Sequence, residues 1–429
     1  MKYIYTIIFT LLTPFILLRL YWKGIKAPTY RQRWQERLAI YSQQHPQNIL
    51  WFHAVSVGEA EALFSLIKQL QANTPQIPIL VTTTTPTGSS RVQMVLGDTV
   101  SHVYLPYDIP FVLHRFFRHF KPKLAVIMEK EIWPNLFSEC GKRKVPLFII
   151  NARLSKNSAH NYKKIPRLVI PALNNVTHIL TQTEEDRQHF ISIGVAQNKL
   201  SVSGNLKFDV IVSKELIAQG KLLKNTLFSN RFVWVAASTH KGEEAIIISC
   251  YQALKKEIPE LLLLLVPRHP ERFIEVKSLA NEAKMNVIMR SEDEQCSAET
   301  DIYIADTLGE LKMLYTAADI CFVGGSLVPV GGHNILEPLA VGTPTLFGPY
   351  MLNFKEISAH VISQQACIQC QTEKDIVLTI KNLYQNSAYQ QLLIQNGAIF
   401  LNKNVGATQN TMQTLNSYFI KLDQNDKSK

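Results

Sequence analysis

Two doubly wound α/β domains are the fold class that this sequence predicts, and three observations carry the expectation. From Asn48 onward, short apolar runs of strand length alternate with amphipathic helical stretches. After Gly204 the same rhythm restarts and continues for a similar length. The chain has 429 residues, which at about 100–200 residues per domain suits two domains better than one. Strands that alternate with helices pair in parallel and are covered on both faces. Ligands of such sheets bind beyond the carboxyl ends of the strands, so two facing domains are expected to enclose a cleft. The expected division is a membrane anchor over residues 1–25, a first domain over 26–210 and a second over 211–429, its last helix free to pack back on the first domain.

The N-terminal segment comes first. Residues 3–18 are 16 positions without a charge, slightly short of the roughly 20 that span a bilayer as a straight helix. No small-residue cleavage site follows, which argues against a removed signal peptide. Arg19, Lys23, Lys26, Arg31, Arg33 and Arg37 follow instead, opposed only by Glu36. Basic residues on that side of an apolar segment keep the rest of the chain cytoplasmic and attract anionic headgroups. Spanning and interfacial placements both fit; a buried N-terminal helix is the alternative that needs no membrane.

Charge sharpens the expectation. The net charge is +11, yet residues 1–200 hold 24 Lys+Arg against 11 Asp+Glu (+13), and residues 201–429 hold 21 against 23 (−2). A basic half implies an anionic partner: nucleic acid, an acidic membrane or a phosphorylated substrate. No nucleic-acid module signature and no long basic tract is present, so nucleic acid is set aside. Of six scattered cysteines only Cys367 and Cys370 form a C-x-x-C pair, and no second pair completes a metal site. Such usage fits a reducing, cytoplasmic compartment.

In the first half, strand-like runs fall at 49–54, 77–83, 103–105, 124–128, 146–151 and 178–181, with amphipathic stretches at 59–71 and 109–120. The first run ends in HAVSVGEAEA, which places Glu59 in the first turn of the next helix. There the helix dipole and nearby amides are expected to keep it ionised, able to take a proton from an attacking hydroxyl. The plainer reading is the ordinary preference of Glu for helix starts; Glu61 lies too far along. The fourth run ends in MEKEIWPN, and strand alternation is expected to put Glu129 and Glu131 on one side. The hydroxyl-rich TTTTPTGSSR either hydrogen-bonds a sugar or phosphate or caps a helix. In SGNLKFD, Lys207 lies near the expected hinge at 205–230, a cation within reach of a phosphate.

In the second half, runs fall at 232–237, 261–266, 287–290, 302–305, 320–323 and 344–347. LLLLLVPRHPERF puts Pro267, Arg268 and His269 just beyond an apolar strand, and Arg suits bidentate phosphate contact. DTLGEL offers a second glycine helix start at Leu308, Gly309 and Glu310. The stretch 321–349, CFVGGSLVPVGGHNILEPLAVGTPTLFGP, reads as strand, glycine-rich loop, helix from about Asn334 and strand. Glycine pairs let backbone amides approach a ligand, and a helix start favours a phosphate. Asn334 with Glu337 also reads as a capping box that needs no ligand. Neither half has G-x-G-x-x-G after its first strand, and no P-loop is present, which sets aside dinucleotide oxidoreductases and P-loop ATPases.

Taken together, HAVSVGEAEA, TTTTPTG, MEKEIWPN, NARLS, GNLKFD, VPRHPERF, DTLGEL and GGHNILEP resemble, in order and over nearly the whole chain, the Kdo transferases of lipopolysaccharide synthesis. The resemblance implies a GT-B glycosyltransferase: two Rossmann-like doubly wound domains with an N-terminal membrane-anchor helix. It implies inverting transfer of 3-deoxy-D-manno-octulosonic acid (Kdo) from CMP-Kdo to a lipid A precursor, tetraacyldisaccharide 1,4'-bisphosphate, at the cytoplasmic face of the inner membrane. It makes Glu59 the general base, with Glu129 and Lys207 assisting the transition state. CMP is placed on Pro267, Arg268, Leu308, Gly309, Glu310, Asn334, Ile335, Leu336 and Glu337, beside His269. No metal and no cofactor is expected, since no acidic D-x-D cluster lies near these motifs. The chain departs from the pattern at Lys130, where the family usually has threonine. The rival readings are a nucleotide-sugar epimerase of the same fold and a non-catalytic, membrane-bound anion-binding protein.

Overall fold

The computed structural model describes residues 1–210 and 212–427, with side chains except those of Lys26 and residues 419–427. The chain forms two compact units: Met1–Asp209 with the chain from Asn404 onward, and Val210–Lys403.

The first unit is built on β1 (Leu50–His53), β2 (Ile79–Thr83), β3 (Ser101–Tyr104), β4 (Leu124–Met128), β5 (Leu147–Ala152), β6 (His178–Thr181) and β7 (Leu200–Val202). They form one parallel sheet in the order β3-β2-β1-β4-β5-β6-β7. Alternation divides β1 between two cores. Trp51 joins Ala125 and Ile127 on one face, and Leu50 and Phe52 join Val81 and Val126 on the other. A strand buried on both faces must be apolar throughout, which is why these runs were legible. Strand β7 was not expected; it is a three-residue edge strand with Val202 exposed, too short to leave a pattern.

The second unit repeats the design with β8 (Phe232–Thr239), β9 (Leu261–Pro267), β10 (Val287–Met289), β11 (Ile302–Ile304), β12 (Ile320–Val323), β13 (Thr345–Phe347) and β14 (Ile368–Gln369). The order is β10-β11-β9-β8-β12-β13-β14, again all parallel. In each sheet the winding reverses once, between β1 and β4 and between β8 and β12. The loops that follow those four strands are where such folds hold ligands.

The N-terminal helix Lys2–Lys26 touches the first unit through its first turns. Thr6 Oγ1 donates to Asn135 Oδ1 (3.0 Å), and Phe9 packs edge-on against Tyr107 and Trp133. Beyond those contacts Tyr3, Ile7, Leu11, Phe15, Trp22 and Ile25 are all exposed. The alternative of a buried N-terminal helix therefore fails. The span Lys2–Ile25 is long and apolar enough to cross a membrane by length and composition.

The chain re-enters the first unit near its end. Both oxygens of Asp209 accept backbone N–H groups there, from Gly406 (2.7 Å) and from Thr408. The following helix, Ala407–Lys427, adds Ala407, Met412 and Leu415 to the first unit's core. Its Tyr418 packs edge-on against Phe148, with ring centroids 4.9 Å apart.

Candidate active site

Glu59 lies in the first turn of the helix Val57–Asn73, directly after β1. Its Oε2 accepts the Val55 N–H (2.8 Å) and its Oε1 accepts the Ser56 hydroxyl (3.1 Å). These bonds make Glu59 a helix-start residue, as the plainer reading held, and they favour the carboxylate. The expectation that they keep it ionised needs correction. Burial, and then the charges of Glu129 and Glu131, outweigh them and raise Glu59 from an ordinary 4.5 to about 7. A group poised near neutrality is better matched to reversible proton transfer than a fully ionised one. Glu61 turns away, paired with Arg91.

Glu129 follows β4, across the switch point from Glu59. Strand alternation does not carry it, contrary to expectation: β4 ends at Met128, and Glu129 has φ of 57°. That left-handed turn ends the strand, and both Glu129 and Glu131 still act on Glu59 through space. Burial raises Glu131 as well, while the exposed Lys130 pulls it down. Lys207 Nζ stands 3.8 Å from Glu129 Oε1. Its position comes from two asparagines. Asn151, fully buried near the end of β5, accepts the Leu206 N–H on its Oδ1 (3.0 Å), and Asn205 accepts the Lys207 N–H (3.0 Å). So NARLS and GNLKFD form one structural unit that presents the lysine.

The threonine run resolves to its structural alternative. Thr85 Oγ1 caps the next helix through the Gly88 N–H (3.1 Å), and Thr84 Oγ1 donates to the Val55 carbonyl (3.0 Å). Thr82 is hydrogen-bonded to the buried His53 (2.9 Å).

In the second unit the glycine-rich loop after β12 departs from expectation. Its first amides are already occupied by a carboxylate of the chain itself. Glu243, fully buried at the start of the helix Glu243–Lys255, accepts from Gly325 (2.6 Å), Ser326 (2.9 Å), Leu327 (2.8 Å) and His240 (2.9 Å). The nest of amides that suits a phosphate is filled from within. Glycine is still required here, because a Cβ on Gly324 would lie 2.8 Å from the Ser238 carbonyl oxygen.

The capping box expected of Asn334 and Glu337 does not form. The helix starts two residues later, Leu336–Ala340, with no side-chain cap, and Asn334 Oδ1 accepts the Leu336 N–H (3.0 Å). Ile335 and Leu336 are fully buried, so only their backbone is available to a ligand. Glu310 is committed to Arg290 through two bonds (2.6 and 2.7 Å). Beside it, Leu308 is exposed and Gly309 has φ of 88°. Pro267 ends β9, and Arg268 and His269 stand exposed beyond it, the Arg268 N–H bonded to the Thr239 carbonyl (3.0 Å).

Two residues at the second switch point escaped the sequence reading. His240, after β8, and His333, after β12, stack with ring centroids 5.0 Å apart, their Nε2 atoms 2.8 Å from each other. His269 meets His240 edge-on at 5.1 Å. Burial first, and then neighbouring positive charge such as that of Arg268, lower His240 to about 4 and His333 to about 3. Two imidazoles that burial keeps neutral, with the Arg268 guanidinium beside them, make a place where an anion is favoured. The signal in the sequence was the position of STH at the end of the second series' first strand. Among the described residues no cluster of His, Cys, Asp and Glu suits a metal ion.

Relatives extend these observations. The family model described as 3-deoxy-D-manno-octulosonic-acid transferase (kdotransferase) matches residues 32–210. A 3-deoxy-D-manno-octulosonic acid transferase of Haemophilus influenzae is 39% identical over 97% of this chain and 98% of its own. One from Bordetella pertussis is 31% identical over 86% and 87%. Among solved structures, a UDP-GlcNAc 2-epimerase from Neisseria meningitidis shares the fold, with a TM-score of 0.55 at 14% identity over 87% of this chain and 100% of its own. With the motifs in order and both switch points furnished, the chain belongs to the 3-deoxy-D-manno-octulosonic acid transferase family.

Proposed function

We propose that this enzyme transfers Kdo from CMP-Kdo to a lipid A precursor, tetraacyldisaccharide 1,4'-bisphosphate, with inversion, at the cytoplasmic face of the inner membrane. It is a glycosyltransferase of GT-B class, acting between a nucleotide-sugar donor and a glycolipid acceptor. The first unit supplies the base and meets the lipid; the second holds the nucleotide. Glu59 takes the proton from the acceptor hydroxyl, which attacks the anomeric carbon as CMP departs. Lys207, held beside Glu129, offsets negative charge that develops in the transition state. Arg268, His269, His240 and His333 receive the CMP phosphate, with the backbone of Leu308–Glu310 and Asn334–Glu337 beside it. The observation that carries this reading is the half-buried carboxylate of Glu59 at the first turn after β1, raised to about 7 by desolvation and by the acids across the switch point.

The N-terminal helix and the basic first half suit an anionic membrane. The epimerase reading rests on fold alone, whereas relatives over nearly the whole chain are transferases. A non-catalytic binder would have no use for an acid poised to exchange protons. The test is Kdo transfer from CMP-Kdo to the lipid A precursor, read by product mass. Glu59→Gln is expected to abolish transfer and leave CMP affinity unchanged; near-wild-type turnover by that variant overturns the assignment.

A further inference from the structure

A cavity of about 350 Å³ opens in the first unit, lined by Ile40, Tyr41, Gln47, Arg115, Arg118 and His119 among others. It is formed by the last turns of the helix Pro110–Phe120 and the segment that leads into β1. That places it at the amino ends of the strands, opposite the edge that carries Glu59 and Glu129. Four observations give it a chemical character.

No carboxylate lines it. Arg115 and Arg118 make no ion pair among the described residues. Tyr41 Oη and His119 Nε2 are both buried without a hydrogen-bond partner, which is uncommon for buried polar atoms. Their rings are fixed, with centroids 4.7 Å apart, and both pack against Phe120. The carboxylate that acts on Tyr41 through space is Glu36, and it is already committed to Arg33 (2.7 Å) and the Tyr104 N–H (2.9 Å).

We propose that this cavity is an anion site that takes a phosphate group on Arg115, Arg118 and the Tyr41 hydroxyl. Guanidinium forks match phosphate oxygens, and a tyrosine hydroxyl adds a directed donor. Along the same helix Phe111 is exposed, and Phe111, Arg115 and Arg118 share one face by helical spacing. An aromatic residue followed by two cations is the pattern of a surface that meets lipid headgroups. The phosphate therefore comes either from a membrane lipid or from solution, and the two sources are separable by experiment. The inference does not rest on the catalytic assignment: Kdo transfer can fail its test while this site stands.

Full-length enzyme in detergent, saturated with CMP to occupy the donor side, is titrated with inorganic phosphate by calorimetry. It is also floated with vesicles of phosphatidylcholine alone and of phosphatidylcholine with phosphatidic acid. Arg115→Gln with Arg118→Gln is expected to weaken phosphate binding about tenfold or more, by loss of two charge-assisted contacts. Retained hydrogen-exchange protection of β1 and β4 in that variant reports an intact first unit. If the variant also loses the preference for phosphatidic acid, the source is lipid; if only free phosphate is lost, it is soluble. Tyr41→Phe keeps the charge and removes one donor, and is expected to weaken phosphate binding severalfold. Unchanged binding in the double variant overturns the site. So does a loss in the double variant with none in Tyr41→Phe, which would reduce the effect to general electrostatics.

Discussion

Replacing Glu59 by Gln is expected to cost the enzyme its activity and to make its first unit more stable in alkali. The unfolded chain releases this proton near 4.5 and the folded chain near 7. Between those values the folded state holds the proton more tightly, so stability present below pH 4.5 is lost as the pH rises through 7. A shift of about 2.5 units (7 − 4.5) corresponds to about 3 kcal/mol, an upper limit because the site is partly reached by solvent. Gln keeps an oxygen for the Val55 N–H and removes the half-buried charge beside Glu129 and Glu131. The variant and the wild type should therefore differ little at pH 5, and the variant should be the more stable by about 1–3 kcal/mol at pH 8. Because the chain has two units, the measurement is urea unfolding followed by hydrogen exchange in β1 and the helix Val57–Asn73. Turnover should fall by about 100-fold or more, the usual contribution of a general base. A stability difference that stays constant from pH 5 to 8 refutes the electrostatic argument, whatever happens to activity.

Three further outcomes follow from the same geometry. Glu129→Gln removes a negative neighbour of Glu59, so the acid limb of kcat/KM against pH should move below 7; an unmoved limb would count against their coupling. Binding of CMP should raise the depressed His240 and His333, because an anion favours the imidazolium, so proton uptake near pH 6 should appear in calorimetry across buffers of different ionisation enthalpy. Glu243→Ala leaves four N–H groups without their acceptor and should destabilise the second unit by roughly 3 kcal/mol or more, read as a lowered unfolding midpoint; a change under about 1 kcal/mol would mean water replaces the carboxylate.

The sheets were legible because strands covered on both faces have nowhere to put a polar side chain. Runs such as LLLLL in β9 and ICFV in β12 declare themselves. The edge strands β7 and β14 did not, being three and two residues long. Ordered motifs pointed to the family, and whole-length relatives bear that out. What stayed hidden were pairings between distant residues. Nothing in the composition of the GGSLVPVGG loop tells that Glu243, about 80 residues upstream of the loop by its numbering, fills the amides of Gly325 to Leu327. Likewise His240 and His333 each looked ordinary until β8 and β12 proved to be neighbours. The charge state of Glu59 was misjudged because local amides can be read from sequence, whereas burial and the acids after β4 cannot.

Asp209 fastens the place where the chain leaves the first unit to the place where it returns. Val210–Lys403 is in this sense a guest threaded through a host. During synthesis the host waits for its last piece: Ala407, Met412 and Leu415 reach its core only after the whole guest has been made. At cellular rates of about 5–20 residues per second, that wait is on the order of tens of seconds. Through all of it the half-built host already carries its apolar N-terminal helix, so the nascent chain has an incentive to reach lipid before it is complete.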